Sequence, residues 1–308
     1  MIKVFIVIPV YNGWKQTRRC LESIRKSTYA NSEVIVVDHG STDGTKSELQ
    51  LDFPEVIRVL GSAELWWTGA TNLGIEEALG KGADAIMLLN NDCFLEPDTI
   101  EKLVLHFKQT KSEAIIAPIQ CDASTGKILV ITAKTALLIG FPTFMATRNI
   151  NTAKKKARNG LIESKLISGG RGVLIPASVF KRIGLFDEEN LPHYLADHDF
   201  YIRCRKSGIP LFIAVDTKVF IDQEKTSLAQ HPEILTFHQF FETLKNRRSH
   251  KDIQQLSQLF KKHYPIPGCY FIGLGLNIFR YVIIYLIRRG IYLIFKQKSF
   301  LKTDHKSI

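Results

Sequence analysis

Short apolar runs alternate with amphipathic segments over the first 120 residues of the chain. The apolar runs are typical of buried strands, and the segments between them place apolar residues at helical spacing. Because strands and helices alternate with short links, the pattern predicts an α/β fold with a doubly wound, mostly parallel sheet. The predicted strands are Lys3–Val10, Glu33–Val37, Val56–Leu60, Ile86–Leu89 and a run beginning at Glu113; the predicted helices are Thr17–Ser27, Thr45–Gln50, Ala70–Leu79 and Thr99–Thr110.

The run Ile86–Leu89 leads directly into Asn90, Asn91 and Asp92. A short apolar run without alternation indicates a strand buried on both faces, and ligands of such sheets bind at the carboxyl ends of the strands. A carboxylate there can hold a divalent cation, which in turn holds a phosphate-bearing substrate. The alternative is that these three polar residues only form a turn before the next helix.

The pattern is less regular from residue 123 to residue 164. Leu129–Ile131 and Leu137–Ile139 are candidate strands, and we interpret the polar, basic stretch Arg148–Arg158 as a mobile loop. Regular elements resume with a glycine-flanked apolar run. The later predictions are a strand within Leu166–Pro176, helices at Ser178–Ile183 and Asp197–Ser207, and two strands at Leu211–Val215 and Thr217–Ile221.

The sequence pattern of the last part of the chain predicts a helical extension, with an apolar segment over residues 268–295. Gly268–Ile287 is long enough to span a bilayer, but Arg280 lies near its middle, where a charge is costly. A helix lying in the membrane interface avoids that cost, and we favour it. A spanning helix and a buried helix pair remain the alternatives.

Charge is concentrated in the same part of the chain. The net charge is +11, and residues 245–308 contain 13 Lys and Arg against 2 acidic residues, so the rest of the chain is neutral. This asymmetry predicts an anionic partner for the tail. The tail interleaves its charges with Ile, Leu and Tyr, which suits an anionic membrane surface better than nucleic acid, and no nucleic-acid partner is expected.

The five cysteines are scattered and form neither a CxxC pair nor a Cys/His cluster, so the sequence indicates no disulfide framework or zinc site. Val4–Val10 has no cleavage-site pattern after it and is interpreted as a strand, not as a signal peptide. We therefore predict a cytoplasmic protein, peripheral on the inner face of the cell membrane.

Polar groups follow three predicted strands. Pro9, Tyr11 and Asn12 stand at the end of the first, Asp38 at the end of the second and Asp92 after the fourth. Together they offer stacking, hydrogen-bonding and metal-binding groups, as a nucleoside-diphosphate site requires. A turn or helix cap is the alternative for each. Neither GxGxxG nor GxxxxGK[ST] occurs, so phosphate must be neutralised by a metal or by basic side chains.

A second cluster lies in the later half of the chain. Asp197, His198 and Asp199 open a helix, where a carboxylate tends to stay ionised and can act as a general base. His198 is a competing base, and both acids could instead cap the helix and pair with Arg203 or Arg205. Gly169 and Gly170 permit a close backbone approach to a ligand, although a tight bend explains them equally well.

Seven stretches along the chain are informative together: VIPVYNG at 7–13, VVDHGSTDGT at 36–45, TGATNLGI at 68–75, LLNNDCFLEPDTI at 88–100, GGRGVLIP at 169–176, VFKRIGLFDE at 179–188 and LADHDFYIRCRKSGI at 195–209. In the same order, they resemble a family 2 glycosyltransferase of the GT-A fold. The resemblance implies a catalytic domain over residues 1–225, and the basic helical extension then occupies residues 226–308.

Carried over by position, the resemblance implies that Asp38 contacts the donor base and that Asp197 is the catalytic base, with Asp199 organising the site. Asp92 would ligate Mg²⁺ or Mn²⁺. The sequence departs from the family in having one carboxylate in Asn-Asn-Asp, His39 where asparagine is common, and Asp222 near the place of a metal-binding histidine. Further positions in these motifs are Asn72 and Asn91 for the donor nucleotide, and Gly169, Gly170 and His198 for the acceptor or sugar.

The implied reaction is inverting transfer of a sugar from a dTDP- or UDP-sugar to a hydroxyl of a surface-polysaccharide or lipid-linked glycan. Trp66 and Trp67 could stack on a sugar, or pack in the core. The stretches WWTGA and HYLADHD resemble those of rhamnosyltransferase-like sequences. No QxxRW element is present, which favours addition of one residue over polymerisation. The competing hypothesis is a non-catalytic protein that binds a glycan, or nucleic acid through its basic tail.

Overall fold

The computed structural model describes residues 1–141, 143–147, 149–222 and 232–304. The chain divides into two compact units. The first contains Met1–Thr135 and Thr143–Lys225, and the second contains Ala136–Pro142 and Thr226–Ile308. The boundary predicted between residues 225 and 226 lies outside the described residues.

Among the described residues, the first unit holds twelve strands and seven helices. The strands are β1 Val4–Val10, β2 Ser32–Asp38, β3 Ile57–Leu60, β4 Ala85–Leu89, β5 Cys93–Leu95, β6 Ile115–Asp122, β7 Ile128–Val130, β8 Thr132–Thr135, β9 Thr143–Thr147, β10 Leu161–Glu163, β11 Arg171–Pro176 and β12 Leu211–Ile221. The helices are α1 Trp14–Arg25, α2 Thr45–Asp52, α3 Trp66–Gly80, α4 Thr99–Gln109, α5 Ile150–Lys156, α6 Ala177–Ile183 and α7 Ala196–Lys206.

The main sheet has the order β10-β12-β6-β11-β4-β1-β2-β3, with β5 paired to β12 and β7 to β6. Strands β3, β2, β1 and β4 run parallel, as do β6 and β12, whereas β11 is antiparallel to both of its neighbours. The predicted mostly parallel α/β sheet is therefore confirmed. Because β11 is antiparallel to β4, its first residues lie at the edge where β1, β2 and β4 end.

The sheet is buried by helices on both faces. Every residue of β1 and β4 is buried, as the continuous apolar runs predict. Leu21 of α1 and Phe107 of α4 pack into the core. Helix α3 approaches the sheet at Gly74, where a Cβ atom would lie 2.4 Å from Cγ1 of Val7. A glycine at this position therefore lets α3 pack closely on β1.

Three of the sequence predictions are wrong, two of them in the irregular region. Leu137–Ile139 forms a 3-10 turn, not a strand. Residues 150–156 form helix α5, which begins after Asn149, whose side chain accepts hydrogen bonds from the first turn. The two strands predicted over residues 211–221 are one strand, β12, whose register to β6 shifts between Ala214 and Lys218. The short strands β5, β8, β9 and β10 were not predicted.

The second unit contains three helices among its described residues: α8 Phe237–Thr243, α9 Ile253–His263 and α10 Tyr270–Asp304. Phe240 of α8 stacks on Tyr285 of α10 with ring centroids 4.0 Å apart, and Tyr281 and Leu244 complete this small core. By length and composition alone, the part of α10 over Tyr270–Phe295 could cross a bilayer. A single helix of this kind is weak support for a span.

Candidate active site

The ends of β1 and β2 bring Asp38 and Tyr11 to one edge of the sheet. Val10 lies opposite Asp38 in the parallel register. Asp38 is buried, and its Oδ1 accepts a hydrogen bond of 2.9 Å from the Ser41 amide. No hydrogen bond to its second oxygen is found among the described residues. That oxygen can therefore accept a hydrogen bond from a ligand, as the sequence predicts for Asp38.

His39 is part of the same surface, although sequence analysis treated it only as a departure from the family pattern. Its ring stacks on Tyr11 with centroids 5.4 Å apart, and Tyr11 is 44% exposed. His39 is buried, and its Nδ1 has no hydrogen-bond partner within the described part of the chain. Burial lowers the pKa of His39 although Asp38 opposes the shift, so a neutral ring stands beside the Asp38 carboxylate.

Pro9 and Asn12 support this edge from within. Pro9 is a buried residue of β1. Asn12 has a positive φ of 57°, and its Oδ1 accepts a 2.7 Å hydrogen bond from the Thr42 amide. The Asn12 amide donates to Ser41 Oγ at 2.8 Å. Asn12 thus joins the loops after β1 and β2. This positioning role explains the hydrogen bonds that Asn12 makes with Ser41 and Thr42.

Asp92 follows β4 and lies beside Asp222, which follows β12. The Asp222 amide donates a 2.9 Å hydrogen bond to the Asp92 carbonyl oxygen. Burial raises the pKa of Asp92; the Arg171 guanidinium lowers it, and the negative charge of Asp222 raises it further. Asp222 also pairs with Arg19, whose Nη1 is 3.5 Å from Asp222 Oδ2.

The described residues contain no group of three or more acidic, His or Cys side chains able to hold a metal ion. Two neighbouring carboxylates still fit Mg²⁺ or Mn²⁺, because Mg²⁺ in phosphate-transfer sites is usually bound by one or two carboxylates together with substrate phosphates. The partial burial of Asp92 next to another carboxylate supports the fit, since a cation would relieve the repulsion between them.

Arg171, the first residue of β11, is a basic group that sequence analysis missed. Its Nη1 donates a 3.0 Å hydrogen bond to Gln120 Oε1, and Gln120 in turn donates to the Ser168 carbonyl. Its Nε is buried and has no partner among the residues described. Arg171 also acts electrostatically on Asp92. The arginine in SGGRG was a signal that could have identified this group. Because the sequence has no glycine-rich phosphate loop, a phosphate has to be neutralised by a metal or by basic side chains.

Gly169 and Gly170 connect the end of β4 to helix α7. The Asn90 amide donates a 2.8 Å hydrogen bond to the Gly170 carbonyl, and the Gly169 amide donates one of 2.6 Å to Asp197 Oδ2. Gly169 has a φ of +73°, which favours glycine. A Cβ atom at Gly170 would lie 3.0 Å from the Trp67 ring. The backbone conformation therefore explains Gly169, and the close approach of the Trp67 ring explains Gly170.

Asp197 and His198 form a partly exposed pair at the start of α7. His198 Nδ1 lies 3.0 Å from Asp197 Oδ1. Burial favours the neutral form of Asp197, but the charge of His198 and the hydrogen bonds from His198 and Gly169 outweigh it, so the Asp197 pKa is lowered. Burial likewise opposes the charged form of His198, but Asp197 raises its pKa above the ordinary value. Asp197 is therefore an ionised carboxylate with fixed orientation.

Asp199 takes the structural role that sequence analysis left open as an alternative. Its side chain is fully buried, and Arg203 Nε lies 2.8 Å from its Oδ2. The Arg203 guanidinium also donates to the carbonyls of Ile183 and Leu185. Asp199 thus fixes α7 against the turn after α6 and has no exposed oxygen for an acceptor.

Two of the predicted donor-binding amides also have internal partners. Asn72 is buried, and its Nδ2 donates to the Phe186 carbonyl and to Glu188 Oε2, while its Oδ1 accepts from the Phe186 amide. Asn91 Nδ2 donates to Thr17 Oγ1 at 3.0 Å. Both residues position neighbouring loops, so direct donor binding has no support from these contacts.

The two tryptophans differ in their surroundings. Trp67 Nε1 donates a 3.0 Å hydrogen bond to Asn90 Oδ1, and its ring packs edge-on against Phe186. Trp66 has a positive φ of 53° and lies near the His193 ring, with its buried Nε1 unpartnered in the described chain. Both are half-buried. A sugar platform remains a prediction for each.

The fold defined by this sheet is shared with solved glycosyltransferases of the GT-A class. The crystal structure of GalNAc-T7 with UDP, GalNAc and Mn²⁺ is similar with a TM-score of 0.60 and 15% identity, over 91% of this chain and 54% of that chain. The structure of TarS 1–349 of S. aureus in complex with UDP is similar with a TM-score of 0.52 and 16% identity, over 84% of this chain and 71% of that chain. These likenesses establish the fold.

The sequence establishes the family. The model of glycosyl transferase family 2 matches residues 5–161, and the chain belongs to that family. An uncharacterized glycosyltransferase of Rickettsia bellii is 27% identical over 75% of this chain and 32% of the relative, and the succinoglycan biosynthesis protein ExoA of Rhizobium meliloti is 25% identical over 85% and 72%. The chain spans between 32% and 58% of the length of four rickettsial relatives that it matches.

Proposed function

We propose that this protein transfers a sugar from a nucleoside-diphosphate sugar to a hydroxyl of a glycan acceptor, with inversion at the anomeric carbon. The observation that carries the proposal is the hydrogen-bonded path from Asp197 through Gly169 and Gly170 to Asn90, two residues before Asp92. This path holds an ionised carboxylate near the pair of carboxylates best suited to a divalent cation.

Asp197 is the proposed general base. It takes the proton of the acceptor hydroxyl, whose oxygen attacks the anomeric carbon. His198 and the Gly169 amide hold the carboxylate in one orientation. A single carboxylate is sufficient for this inverting reaction, because the leaving diphosphate is already an anion and needs no protein acid, unlike the leaving group of an inverting glycosidase.

The donor is held where β1 and β2 end. Asp38 accepts a hydrogen bond from the nucleotide, and the exposed ring of Tyr11 offers a face on which the base stacks. Asp92 and Asp222 would hold Mg²⁺ or Mn²⁺, which when bound neutralises the diphosphate charge. Arg171 contributes positive charge next to Asp92.

The acceptor is proposed to be a surface-polysaccharide or lipid-linked glycan. Support comes from ExoA, which is a succinoglycan biosynthesis protein and matches over most of both chains. Rhamnose and galactofuranose are the first sugars to test, because the WWTGA and HYLADHD stretches resemble rhamnosyltransferase-like sequences. The proposed location is the cytoplasmic face of the cell membrane, in keeping with a cationic, apolar tail.

The test is a panel of dTDP- and UDP-sugars incubated with the purified protein and Mn²⁺ or Mg²⁺, with release of nucleoside diphosphate as the readout. The anomeric configuration of a transferred product, read by NMR, tests inversion. Asp197→Asn serves as the matched inactive variant. Failure of every donor to react or to raise the melting temperature would favour the non-catalytic glycan-binding alternative.

A further inference from the structure

Helix α10 has one face that packs within its own unit. Its buried residues recur every four positions at Gly273, Asn277, Tyr281 and Tyr285. This spacing places them along one side of the helix. At Gly273 a Cβ atom would lie 2.4 Å from the Tyr264 ring, so α9 and α10 are in close contact there. This side of α10 is therefore committed to protein packing.

Several polar side chains of α10 lie on or beside this packed side and donate hydrogen bonds to turns of the same unit. Arg280, the charge near the middle of the apolar segment, donates to two carbonyl oxygens of the turn before β9. Asn277, Tyr285 and Arg289 also donate to main-chain carbonyls. The contacts are Asn277 Nδ2 to Gly140 O at 2.8 Å, Arg280 to Ile139 O at 3.0 Å and to Gly140 O at 2.6 Å, Tyr285 Oη to Leu235 O at 3.1 Å, and Arg289 Nη1 to Glu233 O at 3.0 Å.

The opposite face of α10 is apolar and exposed over a long distance. Its residues recur at spacings of four and three from residue 272 to residue 287, and two further members follow at 293 and 294. The face therefore extends over about 33 Å at 1.5 Å per residue. None of the three arginines of the segment falls on it. The apolar face consists of Ile272, Leu276, Phe279, Ile283, Leu286, Ile287, Leu293 and Ile294, all exposed.

We propose that this apolar face of α10 binds the surface of an anionic phospholipid membrane, with the helix lying parallel to the bilayer plane. An interfacial helix buries its apolar side to a depth of about 5–10 Å below the headgroups and keeps its polar side out of the hydrocarbon. The proposal does not depend on the proposed catalysis, because it concerns only the second unit.

Charge complementarity identifies the membrane as the occupant. All of the net charge of +11 falls in residues 245–308. Lys245, Arg247, Arg248 and Lys261 are exposed in the same unit as α10. The acids in that stretch are Asp252, which is buried as the cap of α9, and Asp304. A cationic unit with an apolar face matches a surface that is anionic outside and apolar beneath.

The packed side of α10 argues against a span. A spanning helix is surrounded by hydrocarbon or by other helices whose backbone polar groups are all hydrogen-bonded internally. Here α10 is flanked by turns at residues 137–140 and 232–234, whose main-chain carbonyls it binds. Inserting α10 across the bilayer would either break these hydrogen bonds and leave Arg280 in the hydrocarbon, or carry the turns in with it.

A second copy of the chain is the other possible occupant, since spacings of four and three also form a coiled-coil seam. Such a seam is narrow and is flanked by charged positions that select the partner. On α10 the neighbouring exposed positions Phe271, Ile284 and Ile291 are apolar as well. The apolar surface is thus broader than a seam, which favours a lipid surface.

The experiment is flotation of the purified full chain with vesicles of phosphatidylcholine alone and with about 30% phosphatidylglycerol. The double variant Phe279→Glu/Ile283→Glu should reduce binding to anionic vesicles at least about tenfold, since two charges enter the apolar layer. The matched control is Leu51→Glu/Leu105→Glu, which makes the same change at two exposed positions of the first unit and should bind normally. Circular dichroism and melting temperature should be unchanged in both.

Flotation of Phe279→Glu/Ile283→Glu equal to that of the unmodified chain would overturn the proposal. So would a dimer, measured by light scattering without vesicles, that this variant dissociates while the unmodified chain fails to float. The lying orientation is tested separately with Lys302→Cys in intact spheroplasts. Labelling of the new cysteine by an impermeant maleimide from outside would show a span and contradict the proposal, and protection from it supports the helix lying on the inner face.

Discussion

The Gly169 amide donates a 2.6 Å hydrogen bond to Asp197 Oδ2, although 28 residues separate them. The other oxygen of Asp197 faces His198 Nδ1 at 3.0 Å. One carboxylate is thus fixed by a main-chain donor before β11 and by its neighbour on α7. A base held in this way needs little reorganisation when an acceptor hydroxyl arrives, which is the condition for efficient proton transfer.

Asp197→Asn should therefore abolish transfer. The amide has nearly the same shape but cannot accept the proton, so we expect turnover to fall by about 10²–10⁴-fold, the range for removal of a general base. Donor binding should be near normal, because Asp38 and Asp92 are unchanged. Turnover is measured as nucleoside diphosphate release, and binding as the donor-dependent rise in melting temperature. Retained turnover would contradict the assignment.

Asp199→Asn should instead lower the free energy of unfolding. Asp199 is fully buried and pairs with Arg203, which is 26% exposed. Breaking a buried ion pair costs about 3–5 kcal/mol of unfolding free energy. Because Arg203 is partly exposed, we expect a loss at the lower end of this range, about 3 kcal/mol. Urea unfolding measures it. The protein that remains folded should turn over normally; a loss of turnover with unchanged stability would show that Asp199 acts in the reaction.

Asp92→Asn should weaken the response to the divalent cation. The substitution removes one of the two neighbouring carboxylates and leaves Asp222, which already pairs with Arg19. We expect the Mn²⁺ concentration for half-maximal activity to rise about tenfold or more. Glu96→Gln, on the loop after β5, is a control that removes a carboxylate elsewhere. An unchanged cation requirement would exclude Asp92 as a ligand.

Asp38→Asn should raise the KM for the donor with little change in kcat. A hydrogen bond to a charged group is worth about 1.5–3 kcal/mol, equivalent to about 10–150-fold in affinity. The effect should appear equally with the free nucleoside diphosphate, measured by calorimetry, because the contact is to the nucleotide and not to the sugar. A loss confined to the intact donor would place Asp38 at the sugar instead.

Much of the fold and some of the site could be predicted because their signals are local. The apolar runs of β1 and β4 are buried at every position, as expected of short continuous runs without alternation, which predict central strands. Asp38 and Asp92 come directly after such strands, and parallel strands end at one edge of the sheet. Sequence order therefore predicted that these two carboxylates lie at the same edge.

The rest could not be predicted because it depends on contacts that are distant in sequence or leave no periodic pattern. Helix α5 has Ala153 as its one buried residue, so it shows no apolar stripe, although the Asn149 cap was a signal that could have been used. The charge of Arg171 acts on Asp92 only because β11 runs antiparallel to β4. Likewise, the internal bonds of Asn72 join it to residues 186–188, more than 110 positions away.

The Asp197–His198 pair predicts a specific dependence of stability on pH. The pKa of His198 is raised above its ordinary 6.5, so its stabilising contribution is complete below that pH and is lost as the pH rises through the folded value. The pKa of Asp197 is lowered below 3.8, so its contribution is complete above that pH and is lost as the pH falls through the folded value. The full contribution of the pair therefore lies between these two ordinary values.

His198→Gln keeps a hydrogen-bonding side chain and removes the titration. The difference in melting temperature between the unmodified chain and this variant should be largest near about pH 5–6 and should shrink as the pH rises above about 6.5. Subtracting the two curves cancels the other titrating groups, which both proteins share. A difference that stays constant, or that grows with pH, would show that His198 is uncharged in the folded protein and does not pair with Asp197 as an ion.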